Sequence, residues 1–366
     1  MNESLKNRYL PDSVSPPGET LLEVLNARGM SQAELANRTG RPTKTINEII
    51  KGKAAITPET SLQFELVLGV AASFWNAREQ QYREALARKK EAEAFETQLD
   101  WLDKIPHRAM AKMGWIPETD NKVQLLQQLL TFFGVASPTS WDEVWDLNIS
   151  FRQSKTLKCD PGAVAAWLRK GEINAFTISS AEFDANRFRE VLVRIRSLTR
   201  TLPHDFASIV VSECGQAGVK VVFVPELPRT CSWGATRWLS QSTALVQLSL
   251  RYKTDDHLWF TFFHEAAHIL LHGKRTFIVE TEDRTKDQME LEADSFARDW
   301  LIPEVEYKKF KRLGSRSCAA ISRFALELGI APGIVVGRLQ YDELLAPANC
   351  NHLKKRLGWA DPKNQE

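Results

Sequence analysis

Two histidines four residues apart in a largely apolar stretch, Phe260-Thr-Phe-Phe-His-Glu-Ala-Ala-His-Ile-Leu-Leu-His272, constrain this chain more than any other feature. On an α-helix, positions i and i+4 share a face. His264 and His268 then project together, close enough for two imidazoles to hold one Zn2+ ion. Glu265 stands beside them, placed to take a proton from a water activated by the metal without joining the ion itself. The apolar periodicity of 255–271 predicts the helix that this spacing needs. Four of the seven histidines fall between His257 and His272, which concentrates the ligand chemistry in one place.

The third ligand decides the kind of site. A metzincin carries a glycine three residues past the second histidine and another histidine three further on. Leu271 and Lys274 hold those places, which excludes that class. A gluzincin takes a glutamate from a second helix, and Met289-Glu-Leu-Glu-Ala-Asp-Ser-Phe-Ala297 supplies one. Glu290, Ala293, Asp294 and Ala297 share a face there, and the small alanines let the helix approach closely. Glu290 is thus expected as the third ligand, and Asp294 as the acceptor for an imidazole N–H of a ligating histidine. Glu292 points away at that pitch and is the weaker candidate. His272 is expected to support the site from outside, with direct ligation as the alternative. The same spacing also fits a salt-bridged helix pair without metal, or a metal site without activity.

The N-terminal part has a different character. Residues 18–53 read as helix, turn, helix, turn, helix, with Ser31-Gln-Ala-Glu34 as a capping box and Thr57-Pro58 as a further helix start. In Thr43-Lys-Thr-Ile-Asn-Glu-Ile-Ile50 the isoleucines fall on one face, leaving Thr43, Lys44 and Asn47 outward with Lys51 at the far end. Arg38, Arg41, Lys44, Lys51 and Lys53 stand against one acid, Glu48. Such a helix suits the major groove, with Arg41, Thr43, Lys44, Asn47 and Lys51 as the expected DNA contacts. A plain helical bundle with a solvated charged face fits the same spacing. Charge enters the argument here: Lys plus Arg number 48 and Asp plus Glu 46, a net +2. A nucleic-acid surface must therefore be local.

Elsewhere, Gly218-Val-Lys-Val-Val-Phe-Val-Pro225 reads as a strand, with 233–238 and 243–249 as partners in a small sheet. The strand at 243–249 is expected to align a substrate by adding it as a neighbouring strand. Residues 99–200 read as mostly helical, with Trp101, Trp115, Trp141, Trp145 and Trp167 as core anchors. The five cysteines, Cys159, Cys214, Cys231, Cys318 and Cys350, are scattered and form no CxxC. They are expected as free thiols of a reducing cytosol. No apolar run is long enough to span a membrane, and the first residues lack the order of a secretory signal, so a cytoplasmic protein is expected.

Two resemblances follow from these motifs. Pro17-Gly-Glu-Thr-Leu-Leu, Gly29-Met-Ser-Gln-Ala-Glu-Leu-Ala36, Asn47-Glu-Ile-Ile-Lys-Gly-Lys53, Ile56-Thr-Pro58 and Phe74-Trp75 resemble the Xre-type helix-turn-helix of HigA-like antitoxins. That resemblance implies a repressor, usually dimeric, on a palindromic operator. Gly234-Ala-Thr-Arg-Trp238, Leu248-Ser-Leu-Arg251, the histidine helix, Glu290-x-x-Ala-Asp-x-Phe-Ala297 and Leu301-Ile-Pro303 resemble the ImmA/IrrE-type zinc peptidases. That family implies cleavage of a partner repressor. Here the DNA-binding unit is fused, and Ala267 holds a place where glycine is common.

The expected architecture is mainly α with a small α+β domain. A flexible arm (1–17) leads into a helix-turn-helix unit with a linker helix (18–98). A helical scaffold (99–200), a zincin-like domain with a small sheet (201–345) and a tail (346–366) follow. Two functions are expected as alternatives. One is a DNA-binding regulator joined to a zinc endopeptidase that cuts a regulatory protein or itself. The other is a HigA-like antitoxin whose peptidase-like part senses a signal or holds a partner, such as a toxin, with little turnover. Both call for Zn2+, double-stranded operator DNA and a homodimer.

Overall fold

The computed structural model describes residues 15–146, 159–273, 278–281 and 288–359. The predicted arm up to residue 14, and the predicted tail from 360, lie outside the described residues. The chain is mainly helical, and it divides into two compact units, Met1–Leu99 and Asp100–Glu366. Among the described residues no single helix is long and apolar enough to cross a membrane.

In the first unit five helices follow their sequence signals: α1 (Pro17–Ala27), α2 (Gln32–Thr39), α3 (Thr43–Ile50), α4 (Pro58–Leu68) and α5 (Ala72–Glu96). Ser31 accepts the Glu34 N–H at 3.1 Å, and Thr57 accepts that of Thr60 at 3.3 Å. Each such cap is worth about 1 kcal/mol. Ile46 and Ile49 of α3 pack with Leu21, Leu35, Phe64 and Trp75 in the core of this unit. Helix α1 lies so close to α3 that a Cβ on Gly18 would stand 2.3 Å from the Ile49 carbonyl oxygen. A larger residue at 18 would push α3 off its seat. Glu79, buried on α5, accepts the Ile56 N–H at 3.1 Å and Arg83 Nε at 2.6 Å, tying α5 to the approach of α4.

The second unit begins with α6 (His107–Lys112), α7 (Lys122–Phe133), α8 (Pro138–Trp141), α9 (Pro161–Ala175), α10 (Ala185–Thr201) and α11 (Phe206–Gly215). Strands β1 (Val219–Phe223), β2 (Ser232–Ser240) and β3 (Thr243–Leu248) come next, then α12 (Asp255–Leu271) and β4 (Ile278–Thr281). Helices α13 (Gln288–Leu301), α14 (Glu304–Arg312), α15 (Cys318–Leu328) and α16 (Pro332–Tyr341) complete it. Of the five expected tryptophan anchors Trp101, Trp141, Trp145 and Trp167 are buried, while Trp115 is half-buried and stacks on Phe132.

The sheet runs β1-β3-β2-β4, with β1 parallel to β3 and the other pairs antiparallel. The two-residue period of the strands sorts side chains between two faces. Ala244, Val246 and Leu248 join the core with Phe262, Phe263 and Ala266 of α12. On the other face Gln247 donates to the Trp167 carbonyl at 2.7 Å, and Arg237 pairs with Glu172, both partners lying on α9. Glu172 also takes Arg169, so one buried carboxylate gathers two guanidinium groups. Burial and the nearby Arg169 charge lower the Arg237 pKa to about 10.

Two expectations are corrected. Strand β3 is paired on both sides, by β1 and β2, so its backbone has no free edge to offer a substrate. Four of the five cysteines are also not free thiols: Cys159 is bonded to Cys231 and Cys318 to Cys350. The partners lie 72 and 32 residues apart, so only the tertiary fold brings them together. Cys214 is the free one among the described residues; it is buried in the core, which pushes its thiol pKa well up.

After α16 the chain returns to the start of α12. Lys355 N–H donates to Asp255 Oδ1 at 3.0 Å, the Asp255 N–H donates to the Lys355 carbonyl at 3.0 Å, and Lys354 pairs with Asp256 at 2.7 Å. Burial, and then the adjacent Asp256 charge, raise the Asp255 pKa to about 6, against the attraction of Lys355. The folded chain therefore holds this proton more tightly than the unfolded chain. The stabilisation it gives is complete below pH about 4 and is lost as pH rises through about 6. In Asp255→Asn this loss disappears, so the melting temperature of the variant relative to wild type climbs from pH 4 to pH 7. The full difference is about 3 kcal/mol at most, and thermal unfolding across that pH range measures it.

Candidate metal centre and helix-turn-helix face

Helix α12 runs through the second unit with nearly every residue from Asp255 to Ile269 buried. Its pitch brings His264 and His268 together, with their Nε2 atoms 3.0 Å apart. Helix α13 brings Glu290 to the same point: Oε2 is 3.1 Å from His264 Nε2, and Oε1 is 3.6 Å from His268 Nε2. Ala293 and Ala297 are fully buried on the same helix, and their small side chains allow this approach. For Zn2+ with bonds of 2.0–2.1 Å, tetrahedral ligand atoms stand about 3.3–3.4 Å apart. The observed separations of 3.0, 3.1 and 3.6 Å bracket that edge, so the donor set fits the ion in both chemistry and size.

The outer nitrogens of the two rings are also engaged. His264 Nδ1 lies 3.0 Å from Asp294 Oδ1, and a carboxylate there accepts, so Nδ1 carries the proton and Nε2 is left with its lone pair. His268 Nδ1 lies 2.8 Å from His272 Nδ1, and His272 Nε2 lies 3.3 Å from Glu292 Oε2. One proton assignment satisfies the chain: His268 donates to His272, which donates to Glu292. This again frees His268 Nε2. Glu292, which the helical pitch turns away from the metal ligands, is thus the outer end of the histidine chain. Hydrogen bonds from Gln288 and then His272 hold its carboxyl below the usual range.

Glu265 faces the sheet. It is 0% exposed, and its Oε2 accepts the Thr236 hydroxyl of β2 at 2.6 Å. Gly234, two residues earlier on the same strand face, lies over the carboxylate; a Cβ there would sit 2.4 Å from Glu265 Oε1 and 2.7 Å from Thr261 Cγ2. Gly234 and Thr236 had no role assigned from the sequence, although both stand in the Gly-Ala-Thr motif and alternate towards α12.

In the first unit the expected DNA contacts fall on or beside α3. Thr43, Lys44 and Lys51 are exposed. Asn47 is half-buried and donates to Gln32 Oε1 at 3.3 Å, bridging α3 to α2. Arg41 Nε donates to Gln63 Oε1 at 2.5 Å, which draws its guanidinium towards α4. Glu48 stands 3.9 Å from Lys44, and Arg38 pairs with Glu34, so Arg41, Lys51 and Lys53 are the cations of this cluster with no ion pair among the described residues.

The geometry defines a helix-turn-helix unit joined to a unit with a His-His-Glu centre on two helices. Each unit contains a segment that matches a known family. Residues 21–75 match the helix-turn-helix family, and residues 231–331 match the IrrE N-terminal-like domain. The chain carries an Xre-type helix-turn-helix domain towards its N-terminus and an IrrE/ImmA-like peptidase domain towards its C-terminus. Among solved structures, an addiction module antidote protein of a HigA family from Coxiella burnetii is 29% identical, covering 23% of this chain and 92% of that one at a TM-score of 0.21. A protein described as an antidote of a plasmid maintenance system from Nostoc punctiforme is 25% identical, covering 23% and 91% at a TM-score of 0.22. No protein of curated function matches the chain.

Proposed function

We propose that the chain is a DNA-binding regulator whose C-terminal unit is a zinc-dependent endopeptidase acting on a regulatory protein or on the chain itself. The observation that carries this reading is the convergence of His264, His268 and Glu290 beside a buried glutamate. Bound by those three, zinc supplies Lewis acidity towards the scissile carbonyl. Glu265 takes the proton of the attacking water and passes it to the leaving amine. Asp294 and the His272–Glu292 chain keep both imidazoles in the tautomer that presents Nε2. Strand β4 has β2 as its only strand partner among the described residues, and its other edge is the place for an extended substrate to pair.

Metal analysis tests the centre directly. Purified protein is expected to hold one zinc per chain, and His264→Ala to lose it. Wild-type protein that neither contains nor takes up zinc overturns the assignment.

The helix-turn-helix face reads operator DNA as a homodimer, which places the protein in the compartment that holds the DNA. Lys44→Ala combined with Lys51→Ala is expected to weaken binding and to flatten the plot of log K against log[salt] by about 1.8, since each phosphate contact contributes about 0.9. Titrations at several salt concentrations measure this, and an unchanged slope removes both lysines from the interface.

A second reading, an antitoxin-like repressor with little turnover and a toxin or other protein as its partner, is favoured by one observation. Glu265 is wholly buried and engaged by Thr236, so this arrangement keeps the base away from solvent.

A further inference from the structure

The second unit contains a cavity of about 260 Å3 between α12, α13, α16 and the returning C-terminal segment. Its walls include Phe260, Leu301, Ile302 and Ile334. Three cations also line it, and they differ in how they are balanced. Arg338 is held by Asp342 at 3.0 Å and lies over the Tyr307 ring. Lys354 is held by Asp256 at 2.7 Å. Arg298, half-buried on α13, has no side-chain hydrogen bond or ion pair among the described residues. Among the described residues the cavity is therefore a largely apolar chamber with one guanidinium, that of Arg298, left without a paired carboxylate.

We propose that this cavity binds a small apolar carboxylate, with Arg298 as the anion contact. A planar guanidinium presents paired N–H donors that match a carboxylate, and the match is strongest where water is excluded. An apolar cavity of roughly 150 Å3 accepts a benzene ring, so this chamber suits a body of about ten heavy atoms. Charge selects the head group: an ammonium would add a fourth cation to a wall whose one carboxylate among the described residues, Asp256, is already paired with Lys354 through Oδ2. The position gives occupancy a consequence. Phe260 is one helical turn before His264, their rings 6.2 Å apart, and Arg298 is one turn after Asp294. A ligand ordering these two side chains acts on residues adjoining both helices of the metal centre.

The probe is 3-phenylpropionate, compared with 3-phenylpropylamine and 3-phenylpropanol. Chelator-treated protein is used throughout, so that carboxylate binding to a metal does not contribute. The acid at ten times its dissociation constant is expected to raise the melting temperature by about 3–5 °C. The amine is expected to give no shift and the alcohol a weaker one. Arg298→Gln should weaken binding of the acid at least tenfold while leaving the melting temperature of the free protein close to wild type. Ile334→Trp, which fills the chamber, should abolish binding of acid and alcohol alike. Absence of a shift with the acid, an equal shift with the amine, or undiminished binding by Arg298→Gln each overturns the proposal. The readout is binding without metal or turnover, so it stands apart from the peptidase reading.

Discussion

In Glu265→Gln, cleavage of a susceptible regulatory protein falls by at least about 100-fold, the lower end of what a general base contributes, while zinc content and melting temperature stay close to wild type. The amide has the shape of the carboxylate it replaces, so the space beneath Gly234 is filled as before. Its oxygen still accepts the Thr236 hydroxyl, which reaches Glu265 Oε2 at 2.6 Å in the wild type. The ligands His264, His268 and Glu290 are untouched. What is lost is a group able to accept a proton, and with it the base for the attacking water. The measurement is cleavage of candidate repressors, and of the chain itself, by both proteins at matched zinc content. Cleavage that survives the substitution removes Glu265 from the mechanism. A wild-type protein that binds zinc and operator yet cuts nothing selects the repressor reading.

What the sequence made legible, and what it hid, divides by the range of the interactions. The helix caps at Ser31 and Thr57 depend on residues three positions away, and both read directly from the chain. The shared face of His264 and His268 comes from helical pitch alone, as does the shared face of Glu290 and Asp294 on α13. Meeting of the two helices was suggested by Ala293 and Ala297, whose smallness is visible in sequence. Register across strands was not. That β3 lies inside the sheet depends on β1 and β2 pairing with it from opposite sides, which no local pattern encodes. The roles of Gly234 and Thr236 were hidden for the same reason, since they act on a glutamate some thirty residues away. Helical pitch turns Glu292 away from the metal ligands, but its contact with His272 needs the second helix to be in place. Strand β4 is four residues long; Ile278, Val279 and Thr281 are β-branched and favour a strand, but nothing local says that it pairs with β2.

The cysteines are the case where a sound compositional argument failed, and they carry the second large prediction. Replacing Cys318 and Cys350 together by Ser lowers the stability of oxidised protein by about 4 kcal/mol, the loop-closure entropy of a bridge spanning some thirty residues. For a unit of this size that corresponds to a fall in melting temperature of roughly 10 °C. The bridge joins the first turn of α15 to the point where the chain turns back towards α12. Beyond Cys350 the returning segment pairs with Asp255 and Asp256, and Leu357 N–H donates to the Lys253 carbonyl at 2.8 Å. Without the bridge those contacts must hold the segment unaided, so amide exchange at Lys355 and Leu357 should rise before that of α12. Reductant should destabilise wild-type protein further than the double variant, because Cys159–Cys231 opens as well. Cys231 immediately precedes β2, which carries Gly234 and Thr236 to Glu265. Thiol titration of unfolded, unreduced protein provides the control. One reactive thiol, that of Cys214, is expected, and five would show that neither bridge forms.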